Sequence, residues 1–187
     1  MTLGPAFDST LAAARLGEPW AWAALHRELA GPVRGYLAAR RSPSPEDEAA
    51  DTFLDVVRGL PRFEGDASDF RAWVFAIAHR RMVDAVRRAG RKPETPVGDE
   101  ALAQVLRDVM PSAEQQALLQ AEASGVEHLL GRLSERQRDV LLLRVVAGLS
   151  GRETAAALDM TEAAVRVAQH RALAALRKDL AHADAEV

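Results

Sequence analysis

The residues that could do covalent or acid–base chemistry are few and scattered. His26, His79, His128, His170 and His182 lie far apart, and none falls in a His-Glu-x-x-His or His-x-Glu pattern that would hold a metal. There are no cysteines, which excludes thiol nucleophiles, zinc–thiolate sites and disulfide scaffolds. No glycine loop of the P-loop or Gly-x-Gly-x-x-Gly kind is present to cradle a phosphate. The paired acids of 46–51 share one acidic stretch with nothing beside them to tune a proton-transfer pair. The expectation is a protein that is not an enzyme and carries no cofactor and no metal.

The arginines suit a different chemistry, the binding of phosphates and base edges. Residues 70–92 carry seven basic groups and one acid, net +6, and residues 161–178 carry four and one, net +3. Residues 42–69 and 93–127 are each net −6, and the last nine residues add three acids. The overall charge of −3, which by itself argues against a nucleic-acid binder, is therefore a cancellation between strongly signed blocks. Two basic blocks separated by acidic ones suit two nucleic-acid contacts on one chain. The plainer alternative is a pair of solvated helix faces.

These side chains must be positioned by helices. Ala, Leu, Arg and Glu dominate the 187 residues, and alternating β-branched runs are absent. The fold class expected is all-α, with two small helical domains at 8–92 and 112–180 joined by an acidic, flexible, proline-rich linker at 93–111. Extended, those 19 linker residues reach roughly 60 Å, enough for the two blocks to act on separated targets. A short helix is expected at 100–109. In the first block, Trp20, Leu25, Leu29, Val33 and Leu37 form an apolar stripe that Gly31-Pro32 is expected to break or kink. A second helix starts at Ser44-Pro45, with Glu46, Asp47 and Glu48 at its positive end. It presents Ala50, Phe53, Leu54, Val57 and Leu60 on one face. A third helix, starting near Asp69, buries Phe70, Trp73, Val74 and Ile77. The second block carries three capping boxes, Ser112…Gln115, Ser134…Gln137 and Ser150…Glu153, each starting a helix. No apolar run approaches the length of a membrane span, and Met1 to Gly17 lacks the basic start and apolar block of a signal peptide, so no membrane insertion and a cytoplasmic location are expected.

The strongest local pattern lies between Ser150 and Lys178. A short helix to Leu158, a tight Asp159-Met160-Thr161 turn and a longer helix from Glu162 make the helix-turn-helix layout. Val165, Ala168, Ala172 and Leu176 face inward, and Arg166, Gln169, His170, Arg171 and Arg177 face outward. Glycine is usual where Asp159 stands, but Asp also adopts the left-handed conformation.

Residues 148–177 resemble region 4 of bacterial sigma factors of the extracytoplasmic-function (ECF) group of the sigma-70 family, and Leu133 to Leu143 resembles the helix that begins that region. The first block resembles region 2 through Asp51-Thr52-Phe53-Leu54, Leu60-Pro61-Arg62-Phe63-Glu64-Gly65 and the run from Phe70 to Arg81, closed by Asp84 and Arg87-Arg88. The resemblance covers roughly 18–92 and 112–178. It implies docking of the 45–60 helix on the β′ clamp of core RNA polymerase, with Asp47, Asp51, Phe53, Asp55 and Arg58 as the matching residues, and a further contact with the β flap. It implies minus-10 recognition and melting by Arg62, Phe63, Gly65, Arg80, Arg81, Arg87 and Arg88. Trp73 would suit base stacking there, but its place on the apolar stripe favours core packing. Minus-35 recognition falls to Thr161, Glu162, Ala163, Arg166, Gln169, His170 and Arg171. The partners implied are core polymerase and promoter DNA, and many family members also have an anti-sigma factor. The sequence departs from the family at Ala50, Val57, Arg80, Asp159 and Gln169. The alternative is a stand-alone helix-turn-helix repressor or activator on duplex DNA; a third reading is an interaction module that sequesters a protein. Neither has a use for the loop and arginine helix of the first block.

Overall fold

The computed structural model describes residues 6–89 and 129–183, and every described element is helical. The 93–111 linker, its short helix and the Ser112…Gln115 box lie outside the described residues. The order is α1 (Phe7–Arg15), α2 (Pro19–Ala39), α3 (Pro45–Gly59), a 3₁₀ turn (Leu60–Arg62), α4 (Ala67–Ala89), α5 (Glu135–Val145), α6 (Gly151–Ala157) and α7 (Glu162–Ala183). None of these is long and apolar enough to cross a membrane.

Helix α2 corrects two expectations. The break expected at Gly31-Pro32 does not occur, and the helix continues through it, because Leu25, Leu29, Val33, Tyr36 and Leu37 are all buried on one side and hold both halves of the helix to the same core. Trp20 is exposed, and Ala21 takes the buried place beside it. In α3, Pro45 occupies the first turn as expected, but the Ser44 side chain makes no capping bond. Leu60 is buried as expected, but Ala49, Thr52 and Val56 take the buried places expected of Ala50, Phe53 and Val57. Thr52 can be buried because its hydroxyl donates to the Glu48 carbonyl at 2.7 Å, which satisfies the polar group without a partner outside the helix. Leu54 and Val57 are left outside, 51% and 46% exposed.

Helix α4 begins two residues earlier than expected. The Asp66 carboxylate accepts from the Asp69 N–H (2.8 Å), and the Asp69 carboxylate accepts from the Asp66 N–H (3.1 Å). This is a reciprocal cap built from two aspartates, and the bond from the Asp69 backbone holds the Asp66 carboxyl below its ordinary range. The Ser134 and Ser150 capping boxes both form and start α5 and α6.

The two blocks do not stand apart. Leu142, Leu143, Ala147, Leu149 and Ala157 of the second block belong to the same buried cluster as Tyr36, Phe70, Phe75 and Met82 of the first. Helix α4 lies against α6. A smaller cluster of Val140, Ala155, Val165 and Ala168, and another of Leu133, Leu141 and Ala172, pack α7 onto α5 and α6.

Candidate nucleic-acid interface

The basic surface of the first block is the outer face and final turn of α4. Arg80, Arg87 and Arg88 are exposed there. Asp84 serves them locally: its carbonyl accepts from Arg88 Nε at 3.2 Å and its carboxylate lies 4.0 Å from Arg87. Arg81, one residue from Arg80, turns the other way. It bonds the carboxylates of Asp51 and Asp55, the latter at 2.5 Å, and lies 3.8 Å from Glu48. It therefore clamps α3 to α4 and is not presented with Arg80, Arg87 and Arg88. The partial burial of Glu48 raises its carboxyl above the ordinary value, although Arg81 pulls it down.

The loop before α4 is anchored from below. Phe63 is buried, stacks on Trp73 at 5.0 Å and meets Phe70 edge-on at 5.4 Å. Its carbonyl accepts from Arg15. Phe63 is thus a peg that holds the loop and does not face outward as a base pocket, while Arg62 and Gly65 remain exposed. Gly65 has φ of +144°, and a Cβ there would lie 2.7 Å from that of Asp69, so the loop needs glycine at this turn. Trp73 is half-buried against this cluster, in keeping with its expected packing role.

On α3, Asp47, Ala50, Leu54, Val57 and Arg58 are exposed. Arg58 pairs with Asp55 at 3.2 Å. Phe53 is half-buried, edge-on to His26 with ring centres 4.6 Å apart. The outer face of α3 thus offers an apolar strip with an acidic start. Asp51 and Asp55, expected with this surface, are engaged by Arg81.

The second block presents its helix-turn-helix as the residue pattern predicts. Asp159 is left-handed, with φ of 51°. Thr161 caps α7 by accepting from the Ala164 N–H at 3.2 Å. Glu162, Ala163, Arg166, His170 and Arg171 are exposed along the first turns. Gln169 is half-buried and accepts from Arg144 Nε at 3.2 Å, while Arg144 also bonds the Leu149 carbonyl, so this amide ties α7 to α5. One cationic residue was missed. Arg136, at the start of α5, lines the same cleft as Ala163, Val167 and Arg171. Segment charge counting concealed it, because Glu135 and Asp139 cancel its neighbourhood.

Between the blocks sits a polar cluster that sequence reasoning did not find. The Tyr36 hydroxyl donates to Asp139 at 3.1 Å and lies 2.8 Å from His79 Nδ1. A hydroxyl has one proton, so His79 must donate through Nδ1–H. Arg40 completes the group, 2.7 Å from Asp139. Burial, followed by the Asp139 charge, pushes the Tyr36 phenol well above its ordinary value, which keeps it a donor. Burial lowers His79 below its ordinary 6.5, even though Asp139 and Glu135 pull it up, and Arg40 adds to the lowering. A depressed histidine costs nothing while both states are neutral. As pH falls below about 6.5 the unfolded chain takes up a proton that the folded chain resists, so stability falls through that window. Urea denaturation of wild type and His79→Gln should show the variant losing less stability between about pH 7.5 and pH 5.5. Equal losses would remove His79 as the cause.

Comparisons with known proteins bear on both surfaces. The family model for sigma-70 region 2 matches residues 21–92, and that for sigma-70 region 4 matches residues 123–176. The chain is 41% identical over 133 residues to the ECF RNA polymerase sigma factor ShbA of Streptomyces griseus, covering 71% of this chain and 69% of that protein. It is 39% identical over 142 residues to the ECF RNA polymerase sigma factor SigD of Mycobacterium tuberculosis, covering 75% of this chain and 65% of SigD, just under two thirds. Among solved structures, CnrH in complex with the cytosolic domain of CnrY matches with a TM-score of 0.65 at 25% identity, covering 92% of this chain and 96% of that one.

Proposed function

This chain belongs to the ECF RNA polymerase sigma factors, and on that premise we propose that it directs core polymerase to particular promoters and helps to open them. Polymerase performs the chemistry, and no enzyme family is indicated for this chain. The observation that carries the reading is the pairing of two separate cationic surfaces, on α4 and on α7, with an exposed apolar strip on α3. A stand-alone repressor needs the α7 surface only.

In this reading Asp47, Leu54, Val57 and the edge of Phe53 meet the polymerase clamp. Asp51 and Asp55 act mainly by fastening α3 to Arg81 of α4, and the exposed Arg58 meets the clamp with the apolar strip. Arg62, Gly65, Arg80, Arg87 and Arg88 face the minus-10 element, and the Phe63 peg sets the loop. Thr161, Glu162, Ala163, Arg166, His170 and Arg171 face the minus-35 element, with Arg136 on adjacent phosphate. The protein works in the cytoplasm. The solved relative is bound to the cytosolic domain of a second protein, CnrY, which supports a protein partner of the anti-sigma kind for this chain as well.

The test is run-off transcription from a promoter library with purified core polymerase and the full chain. No complex with core, together with tight binding to a palindromic duplex, would overturn the reading in favour of a repressor. Arg166→Ala should alter sequence preference by about 1–3 kcal/mol at one position; a uniform loss on all sequences would mark a phosphate contact instead. Arg87→Ala with Arg88→Ala should impair duplex promoters more than pre-melted ones, since both guanidiniums lie on the exposed end of α4 where a separated strand would pass. Equal impairment would remove them from strand opening.

A further inference from the structure

The outward surface of α7 is not uniformly polar. Val167 is 50% exposed on it, and Ala163, one turn earlier, is exposed as well. Four residues apart, the two share one side of the helix, and Arg171, a further turn on, continues the same row. The core side of α7 is filled by Val165, Ala168 and Ala172, which leaves Val167 outside both clusters that pack this helix.

Together with Met160, Ala163 and Val167 floor a cleft between the start of α5 and the start of α7, and Arg136 and Arg171 stand at its rim. Among the described residues that line the cleft, none is acidic. An apolar floor between two guanidiniums matches a polyanion that carries an apolar group between its phosphates. The major groove of duplex DNA is such a surface. Its base edges present hydrogen-bonding groups throughout and one apolar group, the C5-methyl of thymine.

Two features of α7 sharpen the match. The Gln169 amide is turned inward to Arg144, so the first turns keep no exposed amide with which to bond adenine. Val167 is β-branched, and χ1 of such a residue is nearly fixed in a helix, so its methyls are in place before contact and lose little freedom on making it. A polar base edge at the same spot is penalised. The amino group of cytosine or N7 of a purine would give up water against Val167 and gain no partner.

We propose that Val167, backed by Ala163, selects thymine at one position of the minus-35 element through its C5-methyl, while Arg136 and Arg171 hold the flanking backbone. This rests on the sigma-factor reading, in which α7 faces that element.

Uracil tests the contact directly, since it pairs as thymine does and lacks only the methyl. Core polymerase with the full chain is given a promoter recovered from the library, with each thymine of the minus-35 element, on either strand, replaced by uracil in turn. Binding is read by competition against the unsubstituted promoter. One substitution should weaken wild type about fourfold, the factor for one methyl left in water. In Val167→Ala the same substitution should cost less than about twofold. Val167 is exposed inside a helix, so its truncation to alanine leaves folding intact. Arg166→Ala, which leaves the apolar floor in place, should keep the full uracil effect whatever affinity it loses. The proposal is overturned if no uracil weakens wild type, if the weakening is the same in Val167→Ala, or if the recovered minus-35 elements contain no thymine. If wild type directs no transcription, the sigma reading fails, and the same uracil scan on the duplex that the chain selects by itself decides the thymine contact.

Discussion

Phe70→Ala is expected to lower the unfolding free energy by about 3–5 kcal/mol. Phe70 is 1% exposed and is the ring on which the first block converges. Phe7, Phe63 and Trp73 surround it with centroids at 5.6, 5.4 and 5.8 Å. Truncation removes the transfer energy of a whole ring and leaves three aromatic neighbours facing a cavity. The surroundings cannot easily collapse, because Phe63 is tethered through its carbonyl to Arg15 and Trp73 is wedged against Gly59. Denaturant unfolding followed by tryptophan fluorescence would check this, and a loss under about 1 kcal/mol would show that the cluster re-packs. A functional consequence follows from the same contacts. Freed of Phe70, the Phe63 peg no longer sets the 62–66 loop, so use of duplex promoters should fall further than use of pre-melted ones.

The second large effect concerns the pair between the halves. Asp139→Ala removes the carboxylate that the Arg40 guanidinium, whose side chain is 8% exposed, faces at 2.7 Å. Loss of one member of a buried pair costs about 3–5 kcal/mol. The loss should appear as an earlier transition in thermal or urea melts, since parting of the halves is the cheapest way for Arg40 to regain water. Replacing both members, Arg40→Met with Asp139→Leu, should recover most of it, to within about 1 kcal/mol of wild type, because no buried charge remains. A single variant as stable as wild type, or a double no better than the single, would contradict the assigned role of the pair.

Much of the local architecture was legible in the residues. Ser134 with Gln137 and Ser150 with Glu153 start helices as capping boxes, and Asp159 takes the left-handed turn. These features depend on groups within a few positions of one another, so sequence spacing contains the geometry. The same holds for the exposure of Arg87, Arg88, Arg166 and Arg171 on helices rich in cations. Errors arose where a partner outside the window decides. Proline at 32 carries a real local cost, but packing along the whole of α2 outweighs it. The stripe of α3 differs for a local reason: Thr52 is polar by type, yet its hydroxyl is satisfied by the Glu48 carbonyl of its own helix, so it can be buried.

The residues by themselves determined an all-helical chain, two cationic helices, the helix-turn-helix and the family to which these belong. Only the tertiary structure decided which cations are available. Arg81 and Arg80 are neighbours in sequence, yet Arg81 is committed to Asp55, 26 residues away, and Arg80 is not. Only the tertiary structure showed that the two blocks close on each other, through Tyr36 and Asp139, which are 103 residues apart. The physical reason is the range of the forces. Capping, dipole and propensity effects act within a turn or two and are written in residue order, whereas ion pairing and burial depend on which surfaces meet, and residue order does not record that.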